Sequence, residues 1–297
     1  MNIQDFIHPD DAKALDDLKS LPALPKIIEK VMQYGYEEIQ WSSNIASNVR
    51  LSENQMPEIY NRLIPICHKL GIDIPELYLQ MSPFPNAWTS GTKRTYIVLT
   101  MGLVRRFSSD ELDAVLAHEC GHILCQHVLY SMLANAICDL GDSLLDNMLG
   151  TIGNIAMKPV NQALFAWSRA SELSADRVAC LITSPEVLTR TLAKLDGIPP
   201  IILKDLDLVE WTKQGADYES MKNGNAWSKV VRYMSNSDRS HPYGPVRAYE
   251  AKRWAGGRNY EKLKSSPNMQ LCGDVCPKCG KPISKEWTFC RSCGEKI

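Results

Sequence analysis

The motif His118-Glu119-Cys120-Gly121-His122 constrains the fold of this 297-residue chain more than any other feature. Residues four apart share one face of a helix, so both imidazoles can reach one ion if the segment is helical. Two neutral imidazoles and a carboxylate, with a water in the fourth position, suit zinc. Glu119 directly follows the first histidine, which lets its carboxylate approach that water rather than the metal. The motif therefore predicts a helix with His118 and His122 as metal ligands and Glu119 as general base.

The preceding residues support a helix at this motif. Ser108 with Glu111 three residues later is a capping-box pattern, and Asp110 adds a negative charge in the first turn. A helix is therefore predicted from about Ser109 to Tyr130. It follows a predicted strand, Thr95–Thr100, that is rich in β-branched and aromatic residues. The alternative is an ordinary helix that holds the two histidines and the glutamate by chance.

A downstream carboxylate pair offers the third metal ligand. Glu172 and Asp176 lie four residues apart within a helix predicted from about Val160 to Thr183. Glu172 can complete a His-His-Glu site. Asp176 can then accept a hydrogen bond from a ligand imidazole, with His118 as the first choice, and fix its tautomer. The alternative is a surface carboxylate pair on a solvated face.

Together these motifs resemble the HtpX and CAAX-prenyl-protease type of gluzincin zinc metallopeptidase. That family joins H-E-x-x-H to a later E-x-x-x-D, as both stand in this chain. The resemblance spans roughly residues 57–255 and includes three shorter segments, which are Asn86-Ala87-Trp88, Ser168-Arg169, and Ser240-His241-Pro242 with Arg247. It implies zinc-dependent endopeptidase activity on extended peptides. The expected fold is α+β and mainly helical, with a small sheet against the metal-binding helix.

The resemblance also implies roles for residues outside the two motifs. His241 is expected to help stabilise the tetrahedral oxyanion, and Arg247 is expected to buttress the site. The alternative for His241 is a loop residue that caps the next helix. If the strand Thr95–Thr100 has an exposed edge, substrate backbone can pair with it and take its register over the metal. The residues expected to bind substrate are Asn86, Ala87, Trp88, Tyr96 and Val98.

The best-known members of that family are integral membrane proteins, and this chain departs from them. No Asp, Glu, Lys or Arg occurs from Cys120 to Cys138, a length near the ~20 residues of a transmembrane helix. The stretch contains polar residues such as His127 and Asn135, and acidic residues follow it. A buried helix is therefore predicted rather than a membrane span. The chain is interpreted as a soluble branch with no stable membrane insertion.

The C-terminal residues predict a second metal site. Two C-x-x-C pairs, each followed by glycine, are typical of a zinc ribbon. Four thiolates leave no open position for water, so this ion is predicted to be structural, and its binding supplies much of the folding free energy of so short a segment. The alternatives are a redox dithiol or disulfides. The predicted ligands are Cys276, Cys279, Cys290 and Cys293.

The predicted organisation has four parts. They are an N-terminal helical segment packed on the core (1–56), a metallopeptidase catalytic domain (57–255), a linker (256–271) and the zinc ribbon (272–297). A weak pattern between Leu140 and Pro159 is interpreted as a flexible or partly helical connector that could gate the cleft. The N-terminus lacks the features of a secretory signal, so a cytoplasmic protein with reduced cysteines is expected.

The sequence thus predicts a zinc-dependent endopeptidase with one catalytic and one structural zinc ion. The expected partners are a peptide or protein substrate and a protein bound through the ribbon. A net charge of -1 does not indicate nucleic acid as the main partner. Two alternatives remain. One is a non-catalytic scaffold or regulatory protein of protease fold that acts through the ribbon, and the other is a nucleic-acid-binding zinc-ribbon protein.

Overall fold

A computed structural model of the chain describes residues 3–149, 153–221 and 242–265, together with 276–278, 290 and 295–296 near the C-terminus. For residues 140–149 and 153–157 only the backbone is described. In these ranges the protein is mainly helical with one small sheet, which confirms the predicted α+β class. None of the described helices is both long and apolar enough to cross a membrane.

Helices dominate both ends of the described chain, and the sheet lies between them in sequence. The first elements are a 3-10 helix (Ile3–Asp5), α1 (Pro9–Lys19), α2 (Leu24–Gln33), α3 (Tyr36–Ser47), β1 (Val49–Leu51) and α4 (Pro57–Leu70). The next are β2 (Glu76–Gln80), β3 (Ala87–Ser90), β4 (Tyr96–Thr100), α5 (Met101–Arg106) and α6 (Ser109–Leu124). The last are α7 (Val128–Leu149), α8 (Gly153–Ile182), α9 (Pro185–Leu195), α10 (Pro200–Leu203), α11 (Leu208–Ser220), α12 (Gly244–Ala255) and α13 (Arg258–Lys264).

The four strands form a sheet in the order β1-β2-β4-β3. β2 and β4 are parallel, whereas β1 and β3 pair antiparallel with β2 and β4, respectively. The condition for substrate pairing with Thr95–Thr100, an exposed edge, is not met, because β4 is hydrogen-bonded on both sides. Tyr96 and Val98 are buried in the sheet and cannot receive a substrate strand. The edge next to β4 is β3, which carries Ala87 and Trp88.

The motif helix α6 begins as predicted but ends earlier. The side chain of Ser108 and that of Glu111 form the expected capping box. The single predicted helix to Tyr130 is wrong, because α6 ends at Leu124 and α7 starts at Val128. Gln126 adopts a left-handed backbone with φ of 58°, a conformation that an α-helix cannot continue through. The backbone N–H of His127 then donates to the carbonyl of His122, at 2.9 Å.

Close packing of α6 on α8 aligns the two metal motifs. The contact passes through Gly121, where a Cβ atom would lie 2.9 Å from Cα of Ala175. Glycine therefore lets the two backbones approach more closely than any other residue would. Because His118 and His122 lie on either side of this contact along α6, they face the turn of α8 that carries Glu172.

Two apolar clusters support this arrangement. The larger one joins the sheet to α4, α6, α8, α9 and α12. The second one joins α1 and α2 to α7 and α8 around the fully buried Trp167. The N-terminal helices thus pack against the same long helix that carries the Glu172 motif.

Two segments with weak sequence patterns contain helices. The backbone is helical through Leu149 and again from Gly153, within the predicted connector. Part of the predicted linker forms α13, whose Tyr260 and Leu263 are buried in the larger apolar cluster. This helix therefore packs on the core, although its surface is rich in charged residues.

Candidate metal centre

Two histidines of α6 and a glutamate of α8 bring three donor atoms together. Nε2 of His118 lies 3.2 Å from Nε2 of His122. The carboxylate of Glu172 lies 3.4 Å from the first of these nitrogens and 3.3 Å from the second. Among the described residues, these three side chains form a group close enough to share one metal ion.

The spacing of these donors fits zinc. Zinc binds imidazole nitrogen and carboxylate oxygen at about 2.1 Å, and the corners of a tetrahedron of that size are about 3.4 Å apart. The two imidazole nitrogens are 3.2 Å apart, close to that edge, and Glu172 places a different carboxylate oxygen near each of them, at 3.4 and 3.3 Å. Three protein donors leave the fourth corner open, which is typical of a catalytic site rather than a structural one.

A buried carboxylate, Asp176, and an arginine, Arg247, contact members of this group. Oδ1 of Asp176 lies 3.0 Å from Nδ1 of His118, which leaves Nε2 of that ring directed at the metal position. Arg247, on α12, donates from Nε and Nη2 to the two oxygens of Asp176, both at 2.8 Å. Its Nη1 lies 3.1 Å from Glu172. The structure thus brings the residues that the sequence assigned to support of the site next to the ligands.

These charges shift the pKa values of His118 and Asp176. Burial lowers the pKa of His118, but the carboxylates of Glu172 and Asp176 outweigh this effect and raise the pKa to about 10. Burial raises the pKa of Asp176, but Arg247 outweighs this effect and holds that pKa below its ordinary value. Each buried charge in the cluster is therefore stabilised by a neighbour of opposite charge.

Glu119 is held by the edge strand of the sheet. The hydroxyl of Thr89, on β3, donates to Oε2 of Glu119 at 2.7 Å, and both side chains are buried. Nothing in the sequence pattern indicated Thr89, because this contact joins residues 30 positions apart on two different elements. The Glu119 carboxylate is therefore held in its orientation by a contact with β3.

A cleft of about 240 Å³ opens onto His118, Glu172 and Glu119. Asn86 and Ala87 also line it, and their role in substrate binding stays a prediction. Trp88 instead packs on the opposite face of the sheet, against Tyr78 and Val98. Four aliphatic residues, Leu103, Val115, Leu188 and Leu192, form the apolar part of the lining of the cleft.

His241 lies outside the described residues, so its role at the oxyanion stays a prediction. Its neighbour Pro242 lines the cleft, which brings the chain close to the ligands at this point.

Cys279 and Cys293 also lie outside the described residues. Cys276 and Cys290 are described, and both are buried.

The sequence did not reveal the contacts that the imidazole of His122 makes through Nδ1. Nδ1 of His122 lies 3.0 Å from Nδ1 of His127, whose Nε2 lies 3.0 Å from Oδ2 of Asp11. His127 stands five residues after His122, a spacing that would place it away from the metal face on a continuous helix. Because the helix breaks at Gln126, the ring of His127 instead lies next to that of His122. Asp11 is 116 residues from His127 and carries no recognisable signal.

Two family models match the chain. The model described as Peptidase family M48 matches residues 51–255, which is more than half of the chain. A second model, described as a zinc-ribbon domain, matches residues 275–297. The two matches leave the first 50 residues, including α1, outside either family model.

Proteins of similar sequence carry related names. Plastoglobule-localized metallopeptidase 48, chloroplastic, of Arabidopsis thaliana is 32% identical over 275 residues, which cover 91% of this chain and 78% of that protein. A protease HtpX homolog of Thermococcus sibiricus is 30% identical over 172 residues, covering 49% of this chain and 59% of that protein. The crystal structure of S. mikatae Ste24p matches with a TM-score of 0.39 and 19% identity, over 81% of this chain and 67% of that one.

Proposed function

Since the chain belongs to Peptidase family M48 and is a metallopeptidase, we propose that it is a zinc-dependent endopeptidase with one catalytic ion held by His118, His122 and Glu172. The resemblance inferred from the sequence motifs is confirmed at the level of the family. The observation that supports this ligand set is that His118, His122 and Glu172 each bring one donor atom to within 4.8 Å of the other two.

Glu119 supplies the general base of the proposed reaction. When bound, zinc polarises the scissile carbonyl and lowers the pKa of a water molecule. Glu119 accepts a proton from the attacking water and later delivers it to the leaving amine. The hydroxyl of Thr89 occupies one lone pair of Oε2, which turns the other carboxylate oxygen towards the reacting atoms. His241 is proposed to donate a hydrogen bond to the oxyanion.

Substrate is proposed to pair with β3. This strand ends the sheet on the side of the cleft, and its Thr89 contacts Glu119. An extended peptide that added to β3 would therefore pass the catalytic carboxylate with its backbone in a fixed register. Recognition through the backbone reads the shape of the peptide more than its sequence.

The apolar part of the cleft lining, formed by Leu103, Val115, Leu188 and Leu192, is proposed to provide a pocket for one substrate side chain. All four residues are aliphatic and line the cleft next to His118. Burial of a side chain such as leucine in this pocket contributes about 1.5–3 kcal/mol. We therefore expect cleavage next to medium-sized aliphatic residues to be preferred over cleavage next to charged residues.

The C-terminal region is proposed to hold a second, structural zinc ion through Cys276, Cys279, Cys290 and Cys293. The zinc-ribbon match and the buried thiols of the first and third of these residues support this assignment. With its catalytic fold complete without the ribbon, the chain is proposed to use this module to bind a protein partner or recruit substrate. Cytoplasmic localisation stays a prediction.

The test measures zinc content and peptide cleavage on the same preparations. Wild type is expected to bind two zinc ions and to cleave an aliphatic peptide library. Glu119→Gln should keep both ions and lose at least ~100-fold in cleavage rate, because a general base contributes about 10²–10⁴-fold. Glu172→Gln should lose one ion, and deletion of residues 270–297 should lose the other.

Each outcome separates the two metal sites. One zinc ion in wild type that disappears with residues 270–297 would contradict the catalytic centre. One ion that survives this deletion would contradict the ribbon. Two ions with equal cleavage by wild type and Glu119→Gln would contradict the assigned base.

A further inference from the structure

His127 and the carboxylate of Asp11 form a series of contacts that begins at the imidazole of His122. Nδ1 of His122 lies 3.0 Å from Nδ1 of His127, and Nε2 of His127 lies 3.0 Å from Oδ2 of Asp11. The side chains of His127 and Asp11 are both fully buried. The three groups form a row from the metal centre to α1, in the N-terminal part of the chain.

Metal binding fixes the order of protons along this row. If His122 binds an ion through Nε2, its hydrogen is on Nδ1, which then donates to His127. Nδ1 of His127 must accept, so the hydrogen of His127 is on Nε2 and donates to Asp11. An ionised carboxylate only accepts hydrogen bonds, so it suits the end of the row. The opposite order would place a hydrogen on Nε2 of His122, where it blocks the metal.

Further donors hold the carboxylate of Asp11. The indole N–H of Trp167 donates to Oδ1 at 3.1 Å, and the hydroxyl of Ser174 donates to Oδ2 at 2.6 Å. Ser174 in turn accepts from the backbone N–H of His8 at 2.9 Å, which ties α8 to the start of α1. Donors approach both oxygens, so the buried group is stabilised as an anion that accepts from His127.

We propose that Asp11 and His127 are positioning residues that fix the tautomer and the ring orientation of the zinc ligand His122. The inference rests on the proposed zinc site. Asp176 and Arg247 support His118 from one side of the centre, and the Asp11–His127 pair supports His122 from the other. Asp11 lies on α1, which precedes the residues matched by the peptidase family model. The proposal therefore makes the N-terminal helix part of the metal centre of this chain.

Zinc affinity of the full-length chain tests this role. A chelator is titrated against zinc-loaded wild type, and the step that is missing from Glu172→Gln is assigned to the catalytic site. In Asp11→Asn the amide nitrogen can donate to His127, which favours the reversed order of protons. We expect zinc binding at this step to weaken by about 10–100-fold, and His127→Gln to weaken it in the same range.

Glu111→Gln is the matched control. It also replaces a buried carboxylate by an amide, and it lies on α6 with the ligands, but its partners are Arg190 and Lys194. It should lose stability and keep wild-type zinc affinity. Equal loss of zinc affinity in Glu111→Gln and Asp11→Asn would overturn the positioning role, because any weakening of the fold would then have the same effect.

Nitrogen-15 NMR of the histidine rings in zinc-loaded wild type gives a second test that needs no variant. We expect the ring hydrogen of His127 on Nε2 and that of His122 on Nδ1. A hydrogen on Nδ1 of His127 would contradict the inference. If no chelator step is lost in Glu172→Gln, the proposed zinc site itself fails; if the step is present but Asp11→Asn leaves it unchanged, only the positioning role fails.

Discussion

Arg247 joins two buried carboxylates of the metal centre through one planar side chain. Two of its nitrogens bond Asp176 at 2.8 Å, and a third lies 3.1 Å from Glu172. Two buried anions without a cation between them would repel each other and resist desolvation. The fork of the guanidinium is therefore what allows Glu172 and Asp176 to lie on successive turns of α8 and both face His118.

Replacement of Arg247 by lysine keeps the charge but removes this fork. A lysine ammonium cannot make two parallel bonds to Asp176 and still reach Glu172. We expect Arg247→Lys to lose about 10–100-fold in kcat/KM or zinc affinity. Arg253→Lys is the control, because Arg253 lies on the same helix but is 60% exposed. Equal activities of the two variants would show that the fork is not needed.

Glu111 gives a prediction for pH dependence at the start of α6. Burial raises the pKa of Glu111, but the bonds from Lys194, Ser108 and Arg190 outweigh it, so the pKa is below its ordinary value of 4.5. A lowered folded-state pKa means that the ionised group stabilises the fold above the unfolded-state pKa. This contribution is lost as pH falls through the folded-state value.

The corresponding measurement is urea unfolding of wild type and Glu111→Gln. Near neutral pH we expect the variant to be less stable by about 1–3 kcal/mol, because buried charged donors lose their partner. The difference should shrink as pH falls below the ordinary glutamate pKa. A difference that stays constant between neutral and acid pH would mean that the charge of Glu111 does not matter.

At this scale, the residues that sequence could identify are those with short-range patterns. His118, His122 and Glu119 follow from one motif, and Glu172 and Asp176 follow from helical spacing once that motif is known. Thr89 and Asp11 could not be found, because they act through contacts between distant segments. Neither residue type is rare enough to stand out alone.

Among the elements, the α6–α8 pair depends on one glycine. A Cβ at Gly121 would lie 2.9 Å from Cα and 3.1 Å from the carbonyl oxygen of Ala175. In an isolated helix, replacement of glycine by alanine is favourable by up to about 1 kcal/mol. Here the added methyl group meets backbone, which cannot move aside without displacing α8.

We therefore expect Gly121→Ala to reduce the free energy of unfolding by about 1–3 kcal/mol. It should also weaken zinc binding, because Glu172 moves with α8. Gly256→Ala is the control, since its Cβ would lie no closer than 3.6 Å to any atom. Denaturant unfolding and zinc titration of both variants are the measurements, and a Gly121→Ala protein as stable as wild type would exclude a close approach.

The sheet shows which features of an element remain hidden in sequence. The predicted strand Thr95–Thr100 begins one residue before β4 and ends at the same residue. The order of the strands could not be predicted, since pairing is decided between segments rather than within them. Whether β4 has an exposed edge could therefore not be predicted, and in the sheet β3 covers that side of it. The break between α6 and α7 could not be predicted either, because residues 125–127 are Cys-Gln-His and include no glycine or proline.

For the whole molecule, metal binding and stability are expected to be linked. An ion that binds only the folded state, at a free concentration 100 times its Kd, stabilises that state by about 2.7 kcal/mol. Addition of a chelator should therefore lower the unfolding temperature of wild type. In Glu172→Gln the shift should be smaller, because only the ribbon site remains.

Calorimetry with and without chelator checks this linkage. Cys276→Ser is the complementary variant, since it removes a ribbon ligand and keeps the catalytic site. It should retain the shift that Glu172→Gln loses. An unfolding temperature of wild type that does not respond to the chelator would contradict a metal held by the folded core.

Arg247 follows the H-E-x-x-H motif at a long distance in the sequence. His118 and Arg247 are 129 residues apart, so a ribosome adds the guanidinium long after the first histidine. A nascent chain that ends before α12 lacks the cation that contacts Asp176 and Glu172. The charge balance of this buried cluster is therefore completed only after α12 has been synthesised.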